Sequence, residues 1–288
     1  LSKILLLMRS QTGHDFSQYK TATLIRRIER RMVINRVDSV EQYITFLGNN
    51  PNEITVLFHE LLIGVTAFFR DLEAFEILQS SVIPSILKEK GSNGSVRVWV
   101  PACSTGEEAY SIAILIRHYL DENKLQIPVQ IFATDIDNFA IETAREGIYP
   151  ESISADIPEN LLKNYFIRQG SSWQVKKSVR EMVIYATQSV VKDPPFSSLD
   201  LISCRNLLIY FQTELQQQVL ALFHYVLRLD GFLFLGSADS VTSYEAKFNS
   251  INKKWRIYQS QGIRKTPGNW HSDLPAGQSS SPRLKENK

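Results

Sequence analysis

Apolar residues recur at two different spacings along this chain, and the change from one to the other divides it. From residue 21 to 35, Leu24, Ile25, Ile28 and Met32 share one face at helical spacing, with arginines on the other. Ser39 with Glu41-Gln42 opens a second helix over 40–47, and Asn49-Asn-Pro-Asn52 is a turn before a third over 53–62. Residues 1–63 therefore predict a small helical domain, followed by a connecting segment and helix through 94 (helix over 73–90, Gly-rich linker at 91–94). At Val96 the period falls to two: Val96, Val98 and Val100 alternate with Arg97 and Trp99, as in a strand entering a core. Pro101 lacks the N–H for further ladder pairing, so the strand ends there. Strands and helices then alternate: strand 129–134, helix 139–145, a mixed stretch 149–168, strands 173–179 and 182–187 around an Arg180-Glu181 turn, strand 199–203, helix 213–227, strand 231–236 after an Asp-Gly turn, and a short strand 255–259. This is an α/β pattern over 95–262 with a parallel sheet. Residues 263–288 turn to Gly, Pro, Ser and charge and read as a disordered tail or linker.

The turn after the first strand carries the most chemistry. Ala102, Cys103, Ser104, Thr105 and Gly106 are small, and Glu107 begins a helix with Ile112, Leu115, Ile116 and Tyr119 on one face. Ligands of such sheets lie at the carboxyl ends of the strands. The full G-x-G-x-x-G pattern is missing, and Glu107 with Glu108 would repel a phosphate from that helix N-terminus while welcoming a cation. A phosphate-free, positively charged nucleoside fits, and S-adenosylmethionine is the common cofactor of that kind. Asp135 ends the second strand, where it can accept from both ribose hydroxyls or cap the next helix.

Composition narrows the class. With 43% hydrophobic residues the chain can bury a sizeable core, and a net charge of +2 argues against a nucleic-acid-coating protein. Two cysteines are too few for a disulfide framework and suggest a reducing, cytoplasmic setting. No apolar run reaches the ~20 residues needed to span a bilayer, so direct membrane insertion is not expected. The five histidines are scattered without ligand spacing, which gives no support to a metal site. Asp193-Pro-Pro-Phe196 superficially resembles the motif of amino-directed methyltransferases, but it precedes the 199–203 strand instead of ending it.

Five stretches together resemble one family: Thr66-Ala-Phe-Phe-Arg-Asp71, Ala102-Cys-Ser-Thr-Gly-Glu-Glu-Ala-Tyr-Ser111, Ala133-Thr-Asp-Ile-Asp137, Gly147-Ile-Tyr149 and Cys204-Arg-Asn-Leu-Leu-Ile-Tyr-Phe211. In this order and spacing the chain resembles the CheR-type chemotaxis methyltransferases. That resemblance implies a Rossmann-like methyltransferase domain after an all-helical domain, with a small antiparallel β-subdomain at about 149–181, and methyl transfer from S-adenosylmethionine to receptor glutamates, with S-adenosylhomocysteine as product. It implies Arg70 near the sulfonium and target carboxylate, and Tyr210 positioning the acceptor. Thr66, Gly106, Glu108, Asp135, Ser189, Val190, Arg205 and Asn206 are the implied cofactor contacts. Arg26, Arg27, Arg30 and Arg31 match a basic helix that docks an acidic chemoreceptor cytoplasmic domain; the same residues read equally as a solvated face. Lys192-Asp-Pro-Pro-Phe196 and a first residue of Leu look like the branch fused to other signalling modules, as in CheB/CheR fusions. A non-catalytic sensor of the cofactor in such a fusion is the alternative. Ser189 stands where the family has Asn, Gly64 where receptor-specific members often have Asn, Ala109 where many have Pro, and Gly236-Ser-Ala-Asp-Ser240 replaces a Gly-His-Ser-Glu-Ser type segment.

Overall fold

The computed structural model describes residues 1–91, 94–241 and 246–261. The expected tail at 263–288 and the middle of the 91–94 linker lie outside the described residues. Four helices come first: α1 (Ser2–Thr12), α2 (Thr21–Ile34), α3 (Val40–Asn49) and α4 (Pro51–Leu62). Ser39 caps α3 by accepting from Gln42 N–H at 3.2 Å. The apolar faces close on a core that includes Met8, Leu24, Ile28, Tyr43, Leu47 and Leu57. Inside this domain Glu53 accepts from Arg31 at 2.9 and 2.7 Å, from Asn35 at 2.9 Å and from Tyr43 at 2.9 Å.

The expected 73–90 helix is α5 (Leu72–Ile77) and α6 (Ile83–Lys90), joined by a π-helical segment, Leu78–Val82. Pro84 cannot supply the N–H a continuous α-helix needs there, and the wider turn lies just before it. The remaining elements follow in chain order: β1 (Val96–Pro101), α7 (Glu107–Glu122), β2 (Val129–Asp135), α8 (Asn138–Glu146), β3 (Ile148–Pro150), α9 (Glu159–Tyr165), β4 (Phe166–Gln169), β5 (Ser172–Val175), α10 (Lys177–Arg180), β6 (Val183–Thr187), β7 (Leu199–Cys204), α11 (Thr213–Val226), β8 (Leu227–Leu235), β9 (Phe248–Asn252) and β10 (Ile257–Ser260).

Seven strands form one sheet in the order β6-β2-β1-β7-β8-β10-β9, with only β10 antiparallel to its neighbours. The alternation along β1 is real. Val96, Val98 and Val100 enter the core containing Ile112 and Ile116 of α7, while Trp99 joins the opposite core with Phe223 of α11. Strand order reverses between β1 and β7, which opens a crevice at their carboxyl ends. The second sheet is the small antiparallel β3-β5-β4. Among the described residues, no helix is long and apolar enough to cross a membrane.

Three local expectations need correction. Strands 173–179 and 182–187 are not a pair around a 180–181 turn: β5 joins the small sheet, β6 joins the large one, and α10 lies between. Val175 and Val179 are both buried four residues apart, a helical spacing. Asp230-Gly231 is no turn either. β8 runs through it, with Asp230 at φ +62° and a register shift between Leu199 and Leu201, as in a bulge. Strand β9 was unanticipated because Asn249, Ser250 and Asn252 make it read as loop.

Candidate functional site

A cavity of about 270 Å³ opens at the carboxyl ends of β1, β2, β6 and β7. Its floor comes from the residues just after those strands: Ala102 to Ser104, Asp135 to Asp137, Gln188 to Val191, and Arg205 to Leu207. Its walls are Gly64 to Ala67 with Arg70, the 209–211 segment, and Tyr19 with Leu61 to Ile63 from the helical domain.

The turn after β1 is held by its backbone. Ala102, Ser104 and Gly106 have φ of +55°, +50° and +96°. Ser104 N–H donates to Asp135 Oδ2 at 2.8 Å, and Cys103 N–H to Thr134 O at 3.0 Å. Gly106 itself does not border the cavity. A Cβ there would lie 2.8 Å from Ala144 Cβ and 2.8 Å from the Tyr185 hydroxyl, so glycine serves packing against α8 and β6, and the expected close approach to cofactor is not what the position shows. Tyr149 and Tyr185 donate to the carbonyls of Thr105 and Gly106 at 2.7 and 3.4 Å.

The two glutamates at the start of α7 part company. Glu107 turns inward and accepts from Thr105 Oγ1 at 2.7–2.8 Å. Glu108 borders the cavity, accepts from Ser203 Oγ at 2.6 Å and stands 3.8 Å from Arg205 Nη1. Burial pushes the Glu108 carboxyl up, against the pull of Arg205, Ser203 and Arg70. Asp135 Oδ1 accepts from Asp137 N–H at 2.9 Å, and burial raises this carboxyl too. Asp137, not Asp135, caps α8, accepting from Phe139 and Ala140 N–H. The helix-cap reading of Asp135 therefore falls.

Arg205 is almost wholly buried, its side chain 1% exposed. Nη2 donates to Asp71 at 2.5 Å, and the guanidinium lies over Phe234 and Phe75 at 4.7 and 5.4 Å. Its Nε and Nη1 have no hydrogen-bond partner among the described residues. Arg70 donates from Nη1 to Val65 O at 3.0 Å. Asn206, at φ +61°, is fixed through its N–H to Asp239 at 2.8 Å, and Asp239 also accepts from Gly236 and Ile209 N–H. Ser189 uses its hydroxyl as an acceptor for Val191 and Lys192 N–H, both at 3.3 Å. Cys204 is buried in the core, its thiol raised by desolvation.

Thr66, Arg70, Glu108, Asp135, Ser189, Val190, Arg205, Asn206 and Tyr210 thus all border one cavity. The four arginines of α2 do not. Arg27 and Arg30 pair with Glu60 at 3.0 and 3.1 Å and Arg31 with Glu53, while Arg26 has no ion pair among the described residues. Sequence reasoning missed Tyr19, Ser203, Asp71 and Asp239. Asp71 adjoins Arg70 and could have been noticed; Tyr19 reaches the site only through domain packing. Among the described residues no group of His, Cys, Asp and Glu could hold a metal ion.

A carboxylate for an ammonium, orphaned guanidinium N–H groups for a carboxylate, and an acidic strand end for two hydroxyls suit an amino-acid-bearing nucleoside. Comparison with known proteins agrees. The family model described as "CheR methyltransferase, all-alpha domain" matches residues 1–62, and "CheR methyltransferase, SAM binding domain" matches 64–257. The chain is 30% identical to a chemotaxis protein methyltransferase of Listeria innocua, covering 82% of this chain and 87% of that one. One from Borreliella burgdorferi is 29% identical, covering 84% and 88%. An uncharacterized 104.1 kDa protein of Rhodobacter capsulatus is 35% identical over 90% of this chain, which spans only 27% of that protein's length. The chain belongs to the CheR methyltransferase family, with S-adenosylmethionine as its cofactor.

Proposed function

We propose that the chain methylates glutamate side chains on the cytoplasmic domain of a chemoreceptor or a similar signalling protein, giving a glutamate methyl ester. The observation that carries this reading is Arg70, a guanidinium on the wall of the same cavity that Glu108 borders. When bound, the cofactor supplies an electrophilic methyl group on a sulfonium. Glu108 would hold its ammonium, Arg205 Nε and Nη1 its carboxylate, and Asp135 its ribose hydroxyls, while Thr66, Ser189, Val190 and Asn206 complete the enclosure. Arg70 spends one N–H on Val65 O, leaving others to fork onto an acceptor carboxylate. Tyr210 borders the same cavity and offers a hydroxyl to position the acceptor.

A glutamate is already ionised at neutral pH, so these residues need to align the nucleophile, not deprotonate it. Alignment alone can contribute several kcal/mol, up to about 7–11 in well-oriented intramolecular reactions. On the partner side, Arg26 and Arg30 are the exposed members of the α2 cluster and the ones available to an acidic surface. Incubation with methyl-labelled donor and receptor cytoplasmic fragments should give base-labile label that is lost in Arg70→Ala. Cofactor uptake with no label on any receptor fragment would reverse the reading in favour of a sensor.

A further inference from the structure

Asp71 occupies the N-cap position of α5, yet its side chain makes no capping bond and its backbone is left-handed at φ +62°, ψ +67°. Phe69, two residues earlier, is also left-handed at φ +47°. Left-handed non-glycine residues are strained by Cβ crowding, and such strain gathers at functional sites. Here the unusual backbone turns the Asp71 carboxylate to Arg205, where it takes Nη2 at 2.5 Å. Glu108 is also within reach of that guanidinium but held off at 3.8 Å, beyond hydrogen-bonding distance, and Asp239 acts on the same guanidinium electrostatically. Phe75 and Phe234 fix the guanidinium at the other side.

We propose that Asp71 is a positioning residue that holds the Arg205 guanidinium away from Glu108, so that the Glu108 carboxylate stays unpaired for the ammonium of the cofactor and Arg205 keeps Nε and Nη1 for the cofactor's carboxylate. Without the Asp71 charge, Arg205 closes on Glu108 as an internal pair, and both halves of the zwitterion site are cancelled together. The other charged or polar groups acting on Glu108 are Arg70 from the segment before α5, Ser203 at the end of β7 and Asp239 after β8. Arg70 and Ser203 favour its charged form and Asp239, itself under the influence of Arg205, opposes it.

The inference rests on Glu108 as the ammonium ligand, and the experiment separates the two. Calorimetry on the full chain compares S-adenosylhomocysteine with 5′-methylthioadenosine, which has the nucleoside but no amino-acid head. Asp71→Asn should weaken S-adenosylhomocysteine by about tenfold or more and leave methylthioadenosine unchanged. It should also move the acid limb of S-adenosylhomocysteine affinity to lower pH, because Glu108 gains a cationic partner. In a Glu108→Gln background the same substitution should add little, since the pair it creates no longer exists. Equal loss for both ligands, full additivity with Glu108→Gln, or unchanged S-adenosylhomocysteine affinity would each overturn the role of Asp71. Unchanged affinity in Glu108→Gln alone would remove the ammonium site and this inference with it.

Discussion

Asp135 already accepts one backbone N–H on each carboxylate oxygen, from Asp137 and Ser104, and each oxygen retains capacity for one more donor. Replacing it by Ala would remove the proposed ribose acceptors and free the Ser104 turn, so S-adenosylhomocysteine affinity should fall at least about tenfold in calorimetry. Burial raises Asp135 and Glu108 above their ordinary 3.8 and 4.5. A raised carboxyl binds its proton more tightly folded than unfolded. Its stabilising contribution is complete below the unfolded value and disappears as pH rises through the folded one. These two groups therefore weigh against the ligand-free fold at neutral pH, and an arriving ammonium relieves Glu108. Affinity for S-adenosylhomocysteine should drop as pH falls into the range above 4.5 where Glu108 takes up a proton, and Glu108→Gln should flatten that limb. Both acids were legible in the sequence because a strand end and a helix start are local facts. Ser203 and Tyr19 were not, since nothing local says that a serine ending β7 will meet Glu108 or that residue 19 will border a cavity formed mainly by residues 64–211.

At the scale of elements, α2 and α4 are joined through Glu53. Burial alone would raise this carboxyl, but Arg31, Tyr43 and Asn35 together hold it below 4.5. The sign is opposite to that of Asp135 and Glu108: the contribution is present above the unfolded value and is lost as pH falls through the folded one. Helical circular dichroism should show the N-terminal domain loosening in acid below about pH 4.5. Glu53→Ala should destabilise it by about 3–5 kcal/mol, the scale for leaving a buried partner unpaired. Arg26→Ala should stay within about 0.5 kcal/mol while weakening receptor association in a salt-dependent way. Gly106→Ala combines a left-handed backbone with contacts to Ala144 and Tyr185, and thermal melting should show a loss of about 2–4 kcal/mol. The β-α alternation was readable from the change of period at Val96. Strand β9 and the bulge at Asp230-Gly231 were not, because pairing with a neighbouring strand overrode polar composition in one and a turn dipeptide in the other.

Across the molecule, the helical domain and the sheet meet along a short backbone seam. Tyr19 bridges Phe211, Lys20 N–H donates to Tyr210 O at 2.8 Å, and Gln212 N–H donates to Gln18 O at 2.9 Å. Gln212 Nε2 adds bonds to Ser17 O and Tyr19 O at 3.3 and 3.1 Å. Gln212→Ala should raise amide exchange at 17–20 and 208–212 together, whereas independent change at either segment would show that the seam is not one unit. None of this docking could be read from hydrophobic spacing, which reports each domain's own core and is silent about where two domains touch. Through the seam the helical bundle is bonded to the segment that forms one wall of the cavity. A partner that held the bundle would hold residues 17–20, and Lys20 N–H is bonded directly to the carbonyl of Tyr210 on the cavity wall.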